Sequence, residues 1–320
     1  MDRKGRDWTG KEGTGVEWTG VDWNGFYSNR KSGNVMTWPT PESLPDLNDK
    51  MIRVFPRKTK WTPIDDLAFV GEPPLPFFRP DNRKLPVMVS CAFTWDLPEA
   101  KRLRLSWGRF YDDVQLGGPA CNNPGDRFTS GQFIKEGVTI TSRGCPKRCP
   151  WCFVWRREGE IRTLPIVPGH IVEDNNILAC PRWHIEAVFD MLTRERKVVF
   201  AGGLDTSLLR DWHRKLFETI RYDELWFACD TRMSESDLIQ AAAICDGISI
   251  EKLRCYVMIG FGGESLFDAC ARLEWVYSMG FLPFAQLYRG EQSVVYSPEW
   301  KKLARKWSQP AAYRARKAST

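Results

Sequence analysis

Apolar residues recur at two spacings in the second half of this chain. Short continuous runs read as buried parallel strands: Val198-Val199-Phe200-Ala201, Leu225-Trp226-Phe227-Ala228, Cys255-Tyr256-Val257-Met258-Ile259 and Pro283-Phe284-Ala285-Gln286-Leu287. Between them, apolar positions fall at i, i+3, i+4 and i+7, the period of an amphipathic helix. Ile185, Val188, Phe189 and Leu192 fit that template, as do Leu266, Ala269, Cys270 and Leu273, with Gly280 as a stop. Ser234-Glu235-Ser236-Asp237 predicts the capped start of a further helix. Strand–helix alternation of this kind implies an α/β fold with parallel strands, here over residues 134–290. The run Val138-Thr139-Ile140-Thr141 adds a fifth strand, and Gly247-Ile248-Ser249-Ile250 is the candidate sixth.

The first half is patterned differently. Residues 1–35 carry an imperfect repeat, Asp7-Trp8-Thr9-Gly10, Glu17-Trp18-Thr19-Gly20 and Asp22-Trp23-Asn24-Gly25, too short for a solenoid unit and poor in apolar residues. Its composition predicts disorder. Proline dominates 36–85, as in Gly71-Glu72-Pro73-Pro74-Leu75-Pro76, and predicts an irregular extended segment. Residues 1–85 are therefore read as an N-terminal extension. In 86–133 the pattern changes again. Pro86-Val87-Met88-Val89-Ser90 reads as a strand, followed by a helix from Asp96 as N-cap to Trp107, with Gly108 as stop. Val114-Gln115-Leu116 then reads as a strand ending in the turn Gly117-Gly118-Pro119. This is a Rossmann-like half domain, too short for a full doubly wound sheet.

A 42% hydrophobic and 27% charged composition is that of an ordinary soluble protein. The N-terminus is charged, with no apolar signal region behind it, and no run reaches the length of a membrane span. Those features predict a cytoplasmic protein whose ten cysteines are reduced. The formal charge is +6, and the C-terminal segment, 291–320, concentrates it. Lys301, Lys302, Arg305, Lys306, Arg314, Arg316 and Lys317 face no acidic residue between Lys301 and the end of the chain. With Trp300 and Trp307 nearby, this tail is a candidate nucleic-acid arm; the plainer reading is a solvated helix with a frayed end.

The most informative chemistry is Gly144-Cys145-Pro146-Lys147-Arg148-Cys149-Pro150-Trp151-Cys152-Phe153, three cysteines at C-x3-C-x2-C spacing. Thiolates are soft donors that suit zinc or iron–sulfur clusters. Three cannot close a four-coordinate structural zinc site, and an ordinary four-iron cluster takes four. Three therefore suggest a cluster with one iron open. A zinc knuckle completed by Cys121, Cys180 or His170 is the alternative.

This loop resembles the signature of the radical SAM superfamily, C-x3-C followed by a variable residue, an aromatic residue and Cys, with Trp151 as the aromatic. The resemblance implies a [4Fe-4S] cluster on Cys145, Cys149 and Cys152. It also implies S-adenosylmethionine on the open iron, its reductive cleavage to a 5′-deoxyadenosyl radical, and an electron donor such as flavodoxin or ferredoxin. It narrows the fold to a partial TIM barrel of about six βα units. Other pieces follow in the family's order. Gly202-Gly203 matches the glycine pair that receives the methionine moiety, although Leu204 stands where the family has Glu and Asp205 is shifted by one position. Asp230 and Arg232 follow the next strand, where ribose and carboxylate would be met. Ile259-Gly260 opens a glycine-rich turn resembling the adenine-packing loop. Trp151 and Phe153 flank the last cysteine and complete the expected cofactor-binding set. The catalytic residues and the substrate are unassigned.

The half domain resembles part of the cobalamin-binding domain that precedes some radical SAM barrels. No histidine precedes His170 to serve as a lower cobalt ligand, so cobalamin and methyl transfer are disfavoured. The rival from another class is a zinc-stabilised nucleic-acid-binding protein without enzymatic activity. His170, His184 and His213 stand singly, and Asp174-Asn175-Asn176 reads as a turn near the pocket.

Overall fold

Two parallel sheets organise the chain. The computed structural model describes residues 51–76, 84–122, 127–290 and 294–309. The Trp-Thr-Gly repeats and the tail beyond 309 lie outside them.

The first sheet has four parallel strands: β1 (Ile52–Phe55), β2 (Ala68–Val70), β3 (Val87–Ser90) and β4 (Val114–Gly117), in the order β2-β1-β3-β4. β1 and β2 lie within the stretch expected to be irregular. Proline is excluded from the strands themselves, so a low-complexity surround concealed two short β-branched and aromatic runs. Helix α1 (Leu97–Trp107) joins β3 to β4 with the predicted bounds, Asp96 and Gly108, but the Asp96 side chain makes no capping hydrogen bond and pairs with Arg57 instead. Its Ala100, Leu103 and Trp107 pack on Ile52, Val54, Val87 and Val89, and the Trp107 indole N–H donates to the Gly71 carbonyl at 3.0 Å.

The second sheet has six parallel strands in unbroken sequence order: β5 (Val138–Thr139), β8 (Ile171–Val172), β9 (Val198–Leu204), β10 (Tyr222–Ala228), β11 (Leu253–Ile259) and β12 (Leu282–Leu287). A strand order that never reverses, with the right-handed crossovers that parallel sheets adopt, places the helices on one face. They are α3 (Arg182–Leu192), α4 (Asp211–Phe217), α5 (Glu235–Ile244), α6 (Leu266–Ser278) and α7 (Pro298–Ser308). Their apolar residues share one core with Val198, Phe200, Leu225, Phe227, Cys255 and Val257. The intervening positions, Ala201, Trp226 and Tyr256 among them, face the other way, as a period of two requires, and line an open cavity.

Three local expectations are corrected. Gly247-Ile248-Ser249-Ile250 is not a strand; Gly247 takes φ +77° and a 3-10 turn follows at Ile250–Lys252. The sixth strand is β8, only two residues long and too short to show a period. The α5 start is not a capping box: Ser234 is the N-cap residue but its side chain makes no capping hydrogen bond. Trp307 is 1% exposed in the core, so it has no free face for a base, and Trp300 is partly buried against the same core. Among the described residues no helix is long and apolar enough to cross a membrane.

Candidate functional site

The cysteine loop leaves the six-stranded sheet after β5 and is closed at its base by a two-stranded antiparallel pair, β6 (Ser142–Arg143) with β7 (Arg162–Thr163). Gly144 takes φ +85°, and a Cβ there would sit 2.1 Å from the Glu160 carbonyl oxygen, so only glycine fits. The Cys145 N–H donates to the Gly159 carbonyl at 3.1 Å. The Cys152 N–H and the Trp155 indole N–H both donate to the Cys149 carbonyl, at 3.0 and 3.1 Å. A four-residue helix, α2 (Val154–Arg157), follows. Phe153 caps it, its ring under the Arg157 and Arg156 guanidinium groups.

The segment after β8 holds this loop from behind. Asp174 accepts the Thr141 N–H and hydroxyl, both at 2.6 Å, and the Ser142 hydroxyl at 2.7 Å. Asn175 Oδ1 accepts the Gly144 N–H at 3.0 Å. Asn176 Nδ2 donates to Cys145 Sγ at 3.4 Å and to Asp205 Oδ2 at 3.1 Å. Sequence reasoning placed these three residues only as a turn near the pocket. The signal was the polar triplet Asp-Asn-Asn before an apolar run, but its partners are about thirty residues away in sequence and invisible to local pattern.

From the other side, Lys147 Nζ meets Asp205 Oδ1 at 2.7 Å. Asp205 also accepts from Ser207 N at 3.1 Å and Ser207 Oγ at 2.8 Å. Burial alone would raise the Asp205 pKa; Lys147, Ser207 and Asn176 together hold it below its usual value. Trp151 reaches across to β10 and β11. Its ring meets Phe261 edge-on at 5.5 Å, and its indole is close enough to Asp230 to favour the ionised carboxylate. Asp230 also accepts the Met258 N–H at 3.3 Å, and burial raises its pKa. Phe261 in turn meets Tyr288 edge-on at 4.9 Å. The cysteine loop thus spans the C-terminal ends of β9, β10 and β11, where parallel α/β folds place their sites.

The glycines expected to admit a ligand divide. A Cβ on Gly202 would lie 2.1 Å from the Asp174 carbonyl oxygen, so its missing side chain admits backbone rather than ligand. Gly203, at φ +98°, has nothing nearer than Tyr256 at 4.0 Å. Gly260, at φ +79°, admits the Tyr296 ring, whose hydroxyl donates to the Tyr288 carbonyl at 2.8 Å. The Ile259 side chain lies wholly in the core. Arg232 points outward and pairs with Asp268 at 2.6 Å. It borders a cavity of about 310 Å³ with Asp230, Phe261 and Arg272.

Cys145, Cys149 and Cys152 are half-buried free thiols. Burial, then neighbouring thiols, pushes the Cys149 and Cys152 pKa values up, and both feel Cys145 and Asp230. The three soft donors are therefore within electrostatic reach of one another, and Asn176 Oδ1 is buried without a hydrogen-bond partner among the described residues. That donor set fits an iron–sulfur cluster. Among the described residues no group of three or more His, Cys, Asp or Glu side chains is arranged to hold a single metal ion. Cys180 is buried in the core, and Cys121 lies beside Cys91 in the other unit. His184 contacts Thr141 at 3.2 Å and His213 Nδ1 accepts the Arg210 N–H at 3.0 Å, both structural positions.

The open face of the six-stranded sheet bounds a second cavity of about 370 Å³, lined by Trp226, Tyr256, Phe284 and Glu173, with Lys60 and Trp61 closing it from the first unit. The Tyr256 hydroxyl donates to the Ala201 carbonyl at 2.9 Å. Burial raises Glu173 to about 7, against a hydrogen bond with Trp61 and the charge of Lys60. The sign of its linkage follows. Below about pH 4.5 the carboxyl is protonated folded and unfolded, and burial carries no penalty. Between about 4.5 and 7 only the unfolded chain ionises, so stability falls as pH rises, and the loss is complete above 7. Glu173→Gln is expected to leave stability unchanged near pH 4.5 and to raise it by up to about 3 kcal/mol above pH 7. Denaturant melts of both proteins across that range check this; an equal difference at all pH values contradicts it. No family model matches this chain, and no curated protein matches it.

Proposed function

We propose that this chain is a radical S-adenosylmethionine enzyme whose six-stranded sheet forms a partial TIM barrel. The observation that carries the reading is Trp151. This aromatic residue of the C-x3-C-x2-C loop ties the loop to Asp230 and to Phe261, at the ends of two successive parallel strands. The three thiols therefore lie over the mouth of the sheet beside the glycine turns, in the order the resemblance requires.

Cys145, Cys149 and Cys152 would hold the cluster, and S-adenosylmethionine would lie beside Gly203, Asp230 and the Gly260-Phe261 turn. Together these cofactors supply one electron and a 5′-deoxyadenosyl radical that abstracts hydrogen from substrate. The protein's own contribution is placement. Lys147–Asp205 and Asn176 fix the loop, so Asp205 acts as a positioning residue. Gly203 leaves room at the end of β9. The 370 Å³ cavity on the open face of the sheet is the substrate chamber, with Trp226, Tyr256 and Phe284 as aromatic walls and Lys60, Glu173, Glu224 and Arg254 as its charged groups. An external one-electron donor of the flavodoxin or ferredoxin type completes the system.

Iron and sulfide content after anaerobic purification tests the ligand assignment. Cys145→Ala, Cys149→Ala and Cys152→Ala are each expected to lose both, while Cys121→Ala and Cys180→Ala retain them. Loss in Cys180→Ala with a native melting curve contradicts the three-thiolate site.

A further inference from the structure

The first sheet has a feature that the radical reading does not use. Its order, β2-β1-β3-β4, reverses direction between β1 and β3: the chain leaves β1 to one side and β3 to the other. In open parallel sheets the connections then splay apart at the C-terminal ends and leave a crevice, the usual ligand position of such folds. Here the crevice is a cavity of about 240 Å³. Its walls are the residues that follow the strands: Pro56 and Arg57 after β1, Ala92 and Phe93 after β3, Gly118 and Pro119 after β4.

The lining has a definite chemical character. Phe55, Phe93, Phe128 and Phe133 offer aromatic faces. Three arginines, Arg57, Arg127 and Arg143, stand against one carboxylate, Asp96. Asp96 is buried and paired with Arg57. Arg143 pairs at 3.2 Å with Glu158, outside the lining, and its Nε is buried without a hydrogen-bond partner among the described residues. Arg127 is exposed and has no ion-pair partner among the described residues. Ser90 Oγ and the Gln132 amide, both in the lining, have no hydrogen-bond partner among those residues. Aromatic walls with a surplus guanidinium and free polar groups match a flat ring bearing an anionic group.

We propose that this crevice binds a small planar aromatic anion of the mononucleotide class, with Arg127 and Ser90 meeting the anionic group and the phenylalanine rings meeting the base. The volume suits a fused two- or three-ring system and excludes a corrin. Arg143 stands two residues before Cys145, so a ligand here adjoins the base of the cysteine loop. The inference rests on the first sheet and the segment 127–143 that follows it, and stands apart from the radical assignment.

Isothermal titration of the full chain with AMP, with FMN and with adenosine tests it. One-to-one saturable binding of AMP or FMN is expected, weakening as salt rises. Ala92 is exposed at the mouth, so Ala92→Trp should fold normally and weaken that binding at least tenfold. Arg127→Gln should weaken AMP severalfold and leave adenosine unchanged. Absence of saturable binding by both AMP and FMN overturns the proposal. So does binding that is equal in wild type and Ala92→Trp; should that variant not fold, equal AMP affinity in Arg127→Gln overturns it instead.

Discussion

Gly202→Ala is expected to destabilise the protein more than any other substitution of one small residue in the second sheet. The added Cβ would stand 2.1 Å from the Asp174 carbonyl oxygen and 2.8 Å from its nitrogen, and neither is the end of a flexible side chain. β9 and the segment after β8 must separate. Overpacking of this kind costs about 3 kcal/mol or more where backbone is the obstacle. The same shift pulls Asp174 away from Thr141 and Ser142, so the cysteine loop loses its support. Gly203→Ala is the control. Its Cβ has room, and only the φ of +98° opposes it, a strain of about 1–2 kcal/mol. Thermal melts should therefore rank Gly202→Ala well below Gly203→Ala. Equal melting temperatures contradict the packing role of Gly202. A Gly203→Val protein that keeps its iron but loses S-adenosylmethionine affinity would mark Gly203 as the ligand-facing member of the pair.

Asp174→Ala carries the second large effect. The carboxylate accepts three hydrogen bonds from buried donors, the Thr141 N–H, the Thr141 hydroxyl and the Ser142 hydroxyl. Burial pushes its pKa up, and those donors oppose the rise. Removing the carboxylate leaves buried donors without partners and a cavity among them, together about 3–5 kcal/mol. All three donors sit on Thr141 and Ser142, immediately before Arg143-Gly144-Cys145. Iron retention should fall with stability. Asn175→Ala, which removes only the contact to the Gly144 N–H, should cost about 1 kcal/mol and leave the fold intact. Full iron content in a folded Asp174→Ala protein contradicts the supporting role.

The two α/β halves were legible to different extents. Strands β9 to β12 are long apolar runs buried on one face, and their positions follow from the sequence within a few residues. β8 is two residues, Ile171 and Val172, set by its neighbours β5 and β9 and carrying no period of its own. β1 and β2 were hidden because the prolines that flank them dominate any window long enough to score a pattern. The three cysteines were plain from spacing. Their supports were not: Lys147 lies 58 residues from Asp205, and Asn176 31 residues from Cys145. The glycine pair shows the limit most clearly. Gly202 and Gly203 are identical in sequence terms, yet one meets backbone and the other open space, and only the crossing of the Asp174 segment decides which.

The most direct measurement of the central claim is product analysis after anaerobic reconstitution with iron and sulfide, followed by S-adenosylmethionine and dithionite. The account predicts 5′-deoxyadenosine and methionine from the wild-type chain and neither from Cys149→Ala. A reconstituted wild-type protein that binds zinc in place of iron, or that holds a four-iron cluster and S-adenosylmethionine yet forms no 5′-deoxyadenosine under reduction, would contradict it.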